Sequence, residues 1–434
     1  MNEEVPVAVA EAEAVDRSVA EDVDVLVIGA GPAGLAAAIE LRRLGVSRVL
    51  VAERELQAGG VPRHSVHVGY GIRDLRRLTT GPAYARQYAH RAERAGAEIR
   101  CGTTVTALTS DRQATLTSPA GVQTVTAGAV LLATGCRERP RSARLVPGDR
   151  PAGVMTTGEL QQRVYQSGER IAGRALIVGA EHVSFSAMRT LQHAGADVIA
   201  LVTDQPRHQS YAVFRLGAAV RWRVPVWTST GVHRVVGRGR LTAVELIDRT
   251  TGAVRQVPCD TLVFTGGWIP DNELARLAGV AIDPGTRGPV VDTALTTSVR
   301  RLFAAGNLVH AAETADVAAL DGRHVAGHIA AVLGAASDDV SGPPSPDVIP
   351  ICVVAPLAWI APNAIRSPGT PPPRGRFVLR SEVFARRARL EVRQDGKVLA
   401  SARARLIPGR PVHLDATWLA RAELSAGPVQ VLVS

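Results

Sequence analysis

The sequence contains few of the residues that build disulfide frameworks or metal centres. Its four cysteines lie far apart in the 434-residue chain, and none of them forms a CxxC pair or a zinc-ligand spacing with histidine. We therefore expect no disulfide framework, zinc site or iron–sulfur cluster, and we predict no metal site.

Lysine and aromatic residues are also scarce. Lys397 is the only lysine among 50 basic residues, and aromatic residues make up 4% of the chain. The formal net charge of +10 is carried by arginines that are scattered along the sequence, and so few aromatic rings leave little for base stacking. We interpret the charge as a compositional bias and expect no nucleic-acid partner.

Long apolar runs are absent, and no segment could cross a bilayer. The N-terminus is acidic and rich in alanine, unlike the positively charged start of a signal peptide. These features predict a cytoplasmic protein without membrane insertion and with a disordered extension over residues 1–21. With 46% hydrophobic residues, the chain can bury several cores, and its length suggests about three domains.

The stretch from Asp24 to Glu53 carries the most specific pattern, DVLVIGAGPAGLAAAIELRRLGVSRVLVAE. An apolar run, spaced glycines, a segment of helical period and a second apolar run predict strand, turn, helix and strand. Gly29 permits the sharp turn, Gly31 leaves room for a pyrophosphate, and Gly34 lets the helix pack closely on the strand. Glu53 stands where an acid can accept hydrogen bonds from a ribose. We predict a dinucleotide site; the alternative is a merely structural turn.

The same arrangement occurs a second time. An apolar strand ends at Gly179, a helix follows over His182–Ala194, and another strand ends at Asp204. Each unit is followed by a predicted antiparallel meander, and these cover residues 103–108, 114–117 and 123–126 in the first unit and 232–236, 241–247 and 254–257 in the second. The chain therefore holds two copies of one unit.

The second glycine turn is altered. It reads GAEHVS, so Glu181 and Ser184 replace two of the three glycines. Glu181 would bring a side chain, and near neutral pH a negative charge, against the pyrophosphate of a nicotinamide cofactor. We do not expect efficient NAD(P)H binding here, although Asp204 could still bind a ribose.

The end of the chain has a different pattern. SGPPSP, at Ser341 to Pro346, is typical of a linker, and beyond it the residues alternate as in strands, with a hairpin turn at Asp395-Gly396. The predicted fold class is α/β, with two nested Rossmann-like dinucleotide-binding domains, β-meanders and a small C-terminal all-β domain.

Together these motifs resemble the two-dinucleotide-domain flavoproteins of the glutathione-reductase-like superfamily over roughly residues 22–335. The resemblance is carried by the glycine fingerprint with Glu53 and by three later motifs, ATG at 133–135, TGG at 265–267 and FAAGN at 303–307. More narrowly, GGVPRHSVHVGYGIRDL and GTRGPVVDTALTTS resemble the FAD oxidoreductase that accompanies glycerol-3-phosphate dehydrogenase. The flavin subunits of opine oxidase, hydrogen cyanide synthase and sarcosine oxidase (alpha) belong to the same group.

The resemblance implies FAD in the first unit. The pyrophosphate, ribose, adenine half and flavin end would be held by Gly29, Gly31, Gly34, Glu53, Gly60, Gly135, Gly306 and Asn307. The superfamily more often has Gly-Asp where this chain has Gly306-Asn307, but an amide can still hydrogen-bond. Disulfide reductases of this superfamily place a redox cysteine pair after the ribose acid, but residues 58–70 contain no cysteine, and Ser65 stands where close relatives have a lone one. No thiol–disulfide chemistry is therefore expected here.

The implied domains are a disordered N-terminal extension (1–21), an FAD-binding domain (22–140 and 285–335), a second, degenerate NAD(P)-like domain (141–284), a linker (336–347) and the all-β domain (348–434).

The segment after Gly60 should pass the flavin ring, because relatives keep their redox residues there. His64 and His67 are the candidates to take a proton as hydride leaves the substrate, and His67 matches the family pattern. A structural histidine is the alternative. Further candidates, for which ion pairing or helix capping is the alternative, are Arg137, Glu138, Arg139, His310, Glu313 and Asp316.

The resemblance implies an FAD-dependent oxidoreductase, forming one part of a larger enzyme that oxidises a small amine, imino acid or hydroxy compound. Hydride would pass to flavin, and electrons would leave to a partner oxidoreductase subunit or to oxygen. Two alternatives are an NAD(P)H-dependent flavin oxidase or reductase and a non-catalytic FAD-holding or electron-relay subunit.

Overall fold

The computed structural model describes residues 21–211, 222–311, 313–335 and 348–434. The predicted N-terminal extension, apart from Glu21, and the predicted linker lie outside these residues. The described α-helices are α1 (Pro32–Arg43), α2 (Gly81–Arg94), α3 (Thr157–Tyr165), α4 (His182–Ala194), α5 (Glu273–Leu277) and α6 (Ala315–Gly334). In the described ranges no helix has the length and apolar character that a membrane span requires.

A seven-stranded sheet forms around the first predicted unit. Its strand Glu21–Ile28 pairs in parallel with Val49–Glu53 on one side and with Gly121–Leu132 on the other. Successive side chains of a strand point to opposite faces, and residues 25–27 are all fully buried, so both faces of the sheet are covered. The remaining strands are Glu98–Cys101, Thr104–Leu108, Gln113–Ser118 and Leu302–Ala304.

The end of the first meander differs from the sequence prediction. The predicted third strand of the meander covers residues 123–126, but Gly121–Leu132 is one continuous strand. Its first half pairs antiparallel with Gln113–Ser118, and its second half pairs in parallel with Leu302–Ala304. The change of partner needs no turn, and a local sequence pattern cannot show it.

A second sheet forms around the repeated unit. All its pairings are parallel, and its strands, in spatial order, are Val154–Thr156, Thr261–Phe264, Arg174–Val178, Asp197–Val202 and Val226–Trp227. A separate antiparallel sheet contains Thr230–Val236, Ala243–Asp248 and Val254–Pro258, as the second meander predicts. Two short strands, Cys136–Arg137 and Ile269–Pro270, pair just beyond Leu132 and Phe264, where a strand of each of the two sheets ends. A further two-stranded pairing joins Val68–Tyr70 to Thr79–Thr80.

Residues 348–434 contain strands and short 3₁₀ helices but no α-helix. One sheet contains Ala364–Ile365, Ile349–Val353, Val429–Val433, Ala385–Gln394 and Lys397–Leu406, and another contains Leu357–Ala361, Arg376–Ser381 and Val412–Asp415. Phe377 and Trp418 stack in the core of this part with their ring centroids 5.2 Å apart. The fold is therefore mixed α/β with Rossmann-like sheets, as predicted. The division into nested domains and a C-terminal domain stays a prediction.

Helices α1 and α6 pack through small residues at the edge of the first sheet. A Cβ on Gly322 of α6 would overlap the carbonyl oxygen of Ala33 and lie 3.1 Å from the backbone nitrogen of Ala37 in α1. Gly327, five residues further along α6, would meet no atom within 4 Å. The two helices can lie this close only because Gly322 has no side chain.

We therefore expect opposite effects from adding one methyl group at two positions of α6. Gly322→Ala should lower the free energy of unfolding by about 1–3 kcal/mol, because backbone atoms of α1 must move. Gly327→Ala should raise it by about 0.5–1 kcal/mol, because alanine is the better helix former and has room. Thermal unfolding of both variants checks this, and equal stability of the two would contradict the packing described.

Candidate functional site

The first glycine turn leaves one position open. A Cβ on Gly29, whose φ is +105°, would lie 2.6 Å from the carbonyl oxygen of Ala133, and a Cβ on Gly34 would overlap the carbonyl oxygen of Gly29. Gly29 and Gly34 are therefore required by the protein itself. A Cβ on Gly31 would meet no protein atom within 4 Å. The space beside Gly31 can accept a group that is not part of the chain.

Glu53 holds this turn from the end of the second strand. It is buried, and its Oε2 accepts a hydrogen bond of 2.8 Å from the backbone N–H of Ala30, while Oε1 accepts one of 2.9 Å from the backbone N–H of Glu55. Each carboxylate oxygen keeps a second lone pair, so hydrogen bonds from ribose hydroxyls remain chemically available. The role predicted for Glu53 as a ribose ligand stays a prediction.

The glycine pair that follows the second strand lies against the same turn. The N–H of Gly59 donates to the carbonyl of Ala30 at 2.8 Å. Gly60 has a φ of +62°, and a Cβ there would lie 2.9 Å from the Cα of Gly31. The structure thus brings Gly60 beside Gly31, and the short helix Val61–His64 begins directly after it.

Gly306 also reaches the first turn of α1, but Asn307 is engaged elsewhere. A Cβ on Gly306 would lie 2.8 Å from that of Ala33. The side chain of Asn307 accepts from the N–H of Glu313 at 2.9 Å and donates to its carbonyl at 3.1 Å. Its amide therefore closes the loop before α6, a use that the motif did not predict. Gly135 has a φ of +76° and open space at its Cβ.

His67 is hydrogen-bonded through both ring nitrogens. Nδ1 lies 2.8 Å from the carbonyl of Val68, which can only accept, so Nδ1 carries the proton of the neutral ring. Nε2 then accepts from the hydroxyl of the buried Ser65 at 3.0 Å. Burial lowers the pKa of His67 below its ordinary 6.5, so the ring is a neutral base at pH 7. The pair can move a proton between Ser65 Oγ and His67 Nε2.

His64 sits in a different environment from His67. It is buried, and its Nδ1 has no hydrogen-bond partner among the described residues. Burial lowers the pKa of His64, and a hydrogen bond with Gln161 opposes that shift. A buried ring nitrogen without a partner is costly unless a further group binds it, so Nδ1 is a candidate contact for a bound molecule.

A row of aromatic rings in tilted contact extends from His67 into the protein, and the sequence did not reveal it. The ring centroids of His67 and Tyr70 are 5.4 Å apart, those of Tyr70 and Tyr84 are 5.7 Å apart, and those of Tyr84 and Tyr88 are 4.9 Å apart. The hydroxyls of Tyr84 and Tyr88 both donate to Oδ2 of Asp74 at 2.6 Å. The four-residue spacing of Tyr84 and Tyr88 is a signal that they share a helix face, but nothing local points to Asp74.

The second glycine turn is filled by its own glutamate. Oε2 of Glu181 accepts from the N–H of Ala180 at 2.9 Å, and Oε1 accepts from the hydroxyl of Thr265 at 2.6 Å. A Cβ on Gly179 would lie 2.8 Å from both carboxylate oxygens. The carboxylate thus lies inside the turn whose open counterpart is at Gly31.

The two other notable positions of this unit also have protein partners. Ser184 is fully buried, with its hydroxyl 2.8 Å from that of Thr265. Asp204 is exposed and pairs with Arg249, whose Nε lies 2.7 Å from Oδ1. Neither side chain is in an environment that suggests a bound ribose.

The residues after ATG are mostly ion-paired or bound to backbone. Arg137 pairs with Asp271 and, at 2.8 Å, with Glu273. Arg139 donates to the carbonyl of Ala143 at 2.8 Å. Glu138 accepts from the N–H of Gly158, in the first turn of α3, at 2.6 Å, and burial raises the pKa of Glu138 to about 7. This carboxyl is the one group of the three that can change charge near neutral pH.

The candidates around the start of α6 are also buried in ion pairs. Nε2 of His310 lies 2.5 Å from Oδ2 of Asp321, and Glu313 pairs with Arg380 at 3.0 Å. Asp316, in the first turn of α6, accepts from the N–H of Arg73 at 3.1 Å. These contacts favour the structural alternatives for His310, Glu313 and Asp316.

The chain is similar to several known proteins. The family model described as pyridine nucleotide-disulphide oxidoreductase matches residues 23–322. An opine oxidase subunit of Agrobacterium tumefaciens (strain Ach5) is 28% identical over 72% of this chain and 65% of its own length. The alpha subunit of sarcosine oxidase from Rhizobium meliloti (strain 1021) is 28% identical over 58% of this chain and 25% of its own. The chain thus spans less than two thirds of these curated relatives.

Solved structures show the same fold. Thioredoxin reductase of T. acidophilum superposes with a TM-score of 0.61 at 23% identity, covering 72% of this chain and 98% of its own. L-proline dehydrogenase of P. horikoshii gives a TM-score of 0.53 at 19% identity, covering 73% of this chain and 57% of its own. The family model covers more than half of the chain. The protein therefore belongs to the pyridine nucleotide-disulphide oxidoreductase family.

Proposed function

We propose that the protein is an FAD-dependent oxidoreductase that binds FAD at the first glycine turn. The open space beside Gly31 carries this proposal, because the neighbouring glycines are closed by protein atoms. The start of α1 there suits the negative charge of a pyrophosphate. Glu53, Gly60 and Gly306 contact the same turn and complete the residues that would hold the cofactor. When bound, FAD supplies hydride acceptance.

The substrate we propose is a small amine, imino acid or hydroxy compound. Relatives named as subunits of opine oxidase and sarcosine oxidase support amine oxidation and a role as one subunit of an oxidase. In this proposal the neutral His67, held by the carbonyl of Val68, takes the substrate proton at Nε2, directly or through Ser65. Electrons then leave to a partner oxidoreductase subunit or to oxygen.

The assignment of the cofactor site is tested at Gly31. Gly31→Val should lower the flavin content from about one FAD per chain to less than a tenth, because the side chain enters the open space and each 1.4 kcal/mol of lost affinity is about tenfold. We expect folding to be unaffected, since a Cβ at this position meets no protein atom within 4 Å. The ratio of visible to protein absorbance, together with circular dichroism, measures both.

Gly369 supplies the control for this variant. A Cβ there has its nearest neighbour at 3.9 Å, in a loop of the C-terminal sheets. Gly369→Val should keep its flavin. Full flavin content in purified Gly31→Val would show that the cofactor is bound elsewhere.

The role of His67 is tested by anaerobic flavin reduction with a panel of small amines, imino acids, opines, sarcosine and hydroxy acids. For a substrate found in this way, His67→Ala should slow reduction by about 10²- to 10⁴-fold, the usual effect of losing a general base. Because burial lowers the pKa of His67, the base form should persist below pH 6.5 and the rate should fall only at more acidic pH.

His90→Ala is the matched control, because His90 is exposed on α2 and pairs only with Glu93 at the surface. An unchanged reduction rate in His67→Ala would leave His67 with a structural role. If no compound of the panel reduces the flavin of the isolated chain, but one of them does so when a partner subunit is present, the electron-relay alternative is favoured.

The NAD(P)H oxidase alternative is tested at the second turn. Glu181 places a carboxylate where a nicotinamide cofactor's pyrophosphate would bind, so NADH and NADPH should reduce the flavin slowly in anaerobic stopped-flow mixing. Glu181→Gly combined with Ser184→Gly should accelerate reduction. Glu181→Gln, which keeps the bulk but removes the charge, separates the two effects. Rapid reduction of the unmodified protein at micromolar nicotinamide would instead favour the NAD(P)H oxidase alternative.

A further inference from the structure

A groove of about 550 Å³ lies between α1 and α2 and is not used by the function proposed above. Its lining combines apolar side chains, among them Ile39 and Leu75, with four arginines, which are Arg43, Arg77, Arg91 and Arg323. The volume lies in the range typical of small-molecule sites. Four arginines against two carboxylates, Glu40 and Asp74, leave the lining with an excess of positive charge.

Neither carboxylate in the groove forms a salt bridge with Arg77, Arg91 or Arg323. Glu40 is engaged by Arg43, with N–O distances of 2.9 and 2.6 Å. The Oδ2 atom of Asp74 accepts from the hydroxyls of Tyr84 and Tyr88 instead of from an arginine. Within the described part of the chain, Arg77, Arg91 and Arg323 have no carboxylate at salt-bridge distance.

The guanidinium groups are held in place by buried residues. Arg323 donates to the hydroxyl of Tyr88 at 2.9 Å and to the carbonyl of Asp74 at 3.4 Å. Arg91 lies over the ring of the buried Tyr88, 5.7 Å from its centroid. Burial raises the pKa of Tyr88, which keeps its hydroxyl protonated as the donor to Asp74. Contacts with Tyr88 and Asp74 thus position Arg323 before any ligand arrives, which favours binding.

We propose that this groove binds a small organic dianion, a phosphate monoester or a dicarboxylate, with its charge between Arg91 and Arg323 and its apolar part against Leu75 and Ile39. Guanidinium groups match phosphate and carboxylate oxygens with paired hydrogen bonds, and the excess of arginines over carboxylates in the lining favours a ligand with two negative charges. The apolar lining favours a ligand with a hydrocarbon or aromatic body over a bare inorganic anion.

Isothermal titration calorimetry on the full chain saturated with FAD tests the proposal, because the proposed cofactor site is then occupied. In 150 mM NaCl, phenyl phosphate or phthalate should bind, inorganic phosphate should bind more weakly, and neutral benzyl alcohol should not bind. The first two probes distinguish a phosphate site from a dicarboxylate site. Arg91→Gln should weaken binding at least tenfold, as expected for the loss of a charge-assisted hydrogen bond.

Arg86→Gln is the matched control, because Arg86 is exposed on the same helix and does not line the groove. The affinity of Arg86→Gln for phenyl phosphate and phthalate should be unchanged. Arg323→Gln should also weaken binding, but Arg323 holds Tyr88, so the exposed Arg91 is the decisive position. Equal losses in Arg86→Gln and Arg91→Gln would indicate non-specific attraction to a basic chain and would overturn the proposal. Absence of binding by both organic dianions would overturn it as well.

Discussion

The close approach of backbones at the end of the strand Glu21–Ile28 is the constraint on which the first unit depends. Gly34 lets α1 begin directly over the carbonyl of Gly29, and Gly322 lets α6 lie on the first turns of α1. A side chain at Gly34 would push α1 away from the end of the strand, and a side chain at Gly322 would push α6 away from α1. The same closeness brings the free N–H groups at the start of α1 to the strand end, where a negative group is stabilised.

The two glycine turns show how one backbone arrangement can be left open or closed. In both, a carboxylate accepts from the N–H of an alanine, Ala30 in the first turn and Ala180 in the second. In the first, the carboxylate is that of Glu53 and reaches in from the next strand, so Gly31 stays free. In the second, Glu181 belongs to the turn and fills it. Where the carboxylate comes from therefore decides whether a turn can receive an anionic ligand.

A second organising feature is the loop between Gly71 and Arg77. Asp74 accepts from two tyrosines of α2, while Arg73 binds Asp316 of α6. These contacts tie the loop to both helices and place Tyr70 beside His67. In a chain with only five tyrosines, three of them contact one another here. The polar pair formed by Ser65 and His67 thus lies against a cluster of tyrosines, of which Tyr84 and Tyr88 are buried.

Features encoded by neighbouring residues could be read from the sequence alone. The first glycine turn, helix α4 over His182–Ala194 and the hairpin at Asp395-Gly396 all depend on residues close together in the chain, and each was predicted at its observed place. Contacts between distant segments could not be read in this way. The hydrogen bond from Thr265 that holds the Glu181 carboxylate in its turn, the pairing of Glu313 with Arg380, and the arginine-lined groove each require partners brought together by folding. The chemistry of a side chain is local, but whether that side chain is free to meet a ligand depends on which distant group already binds it.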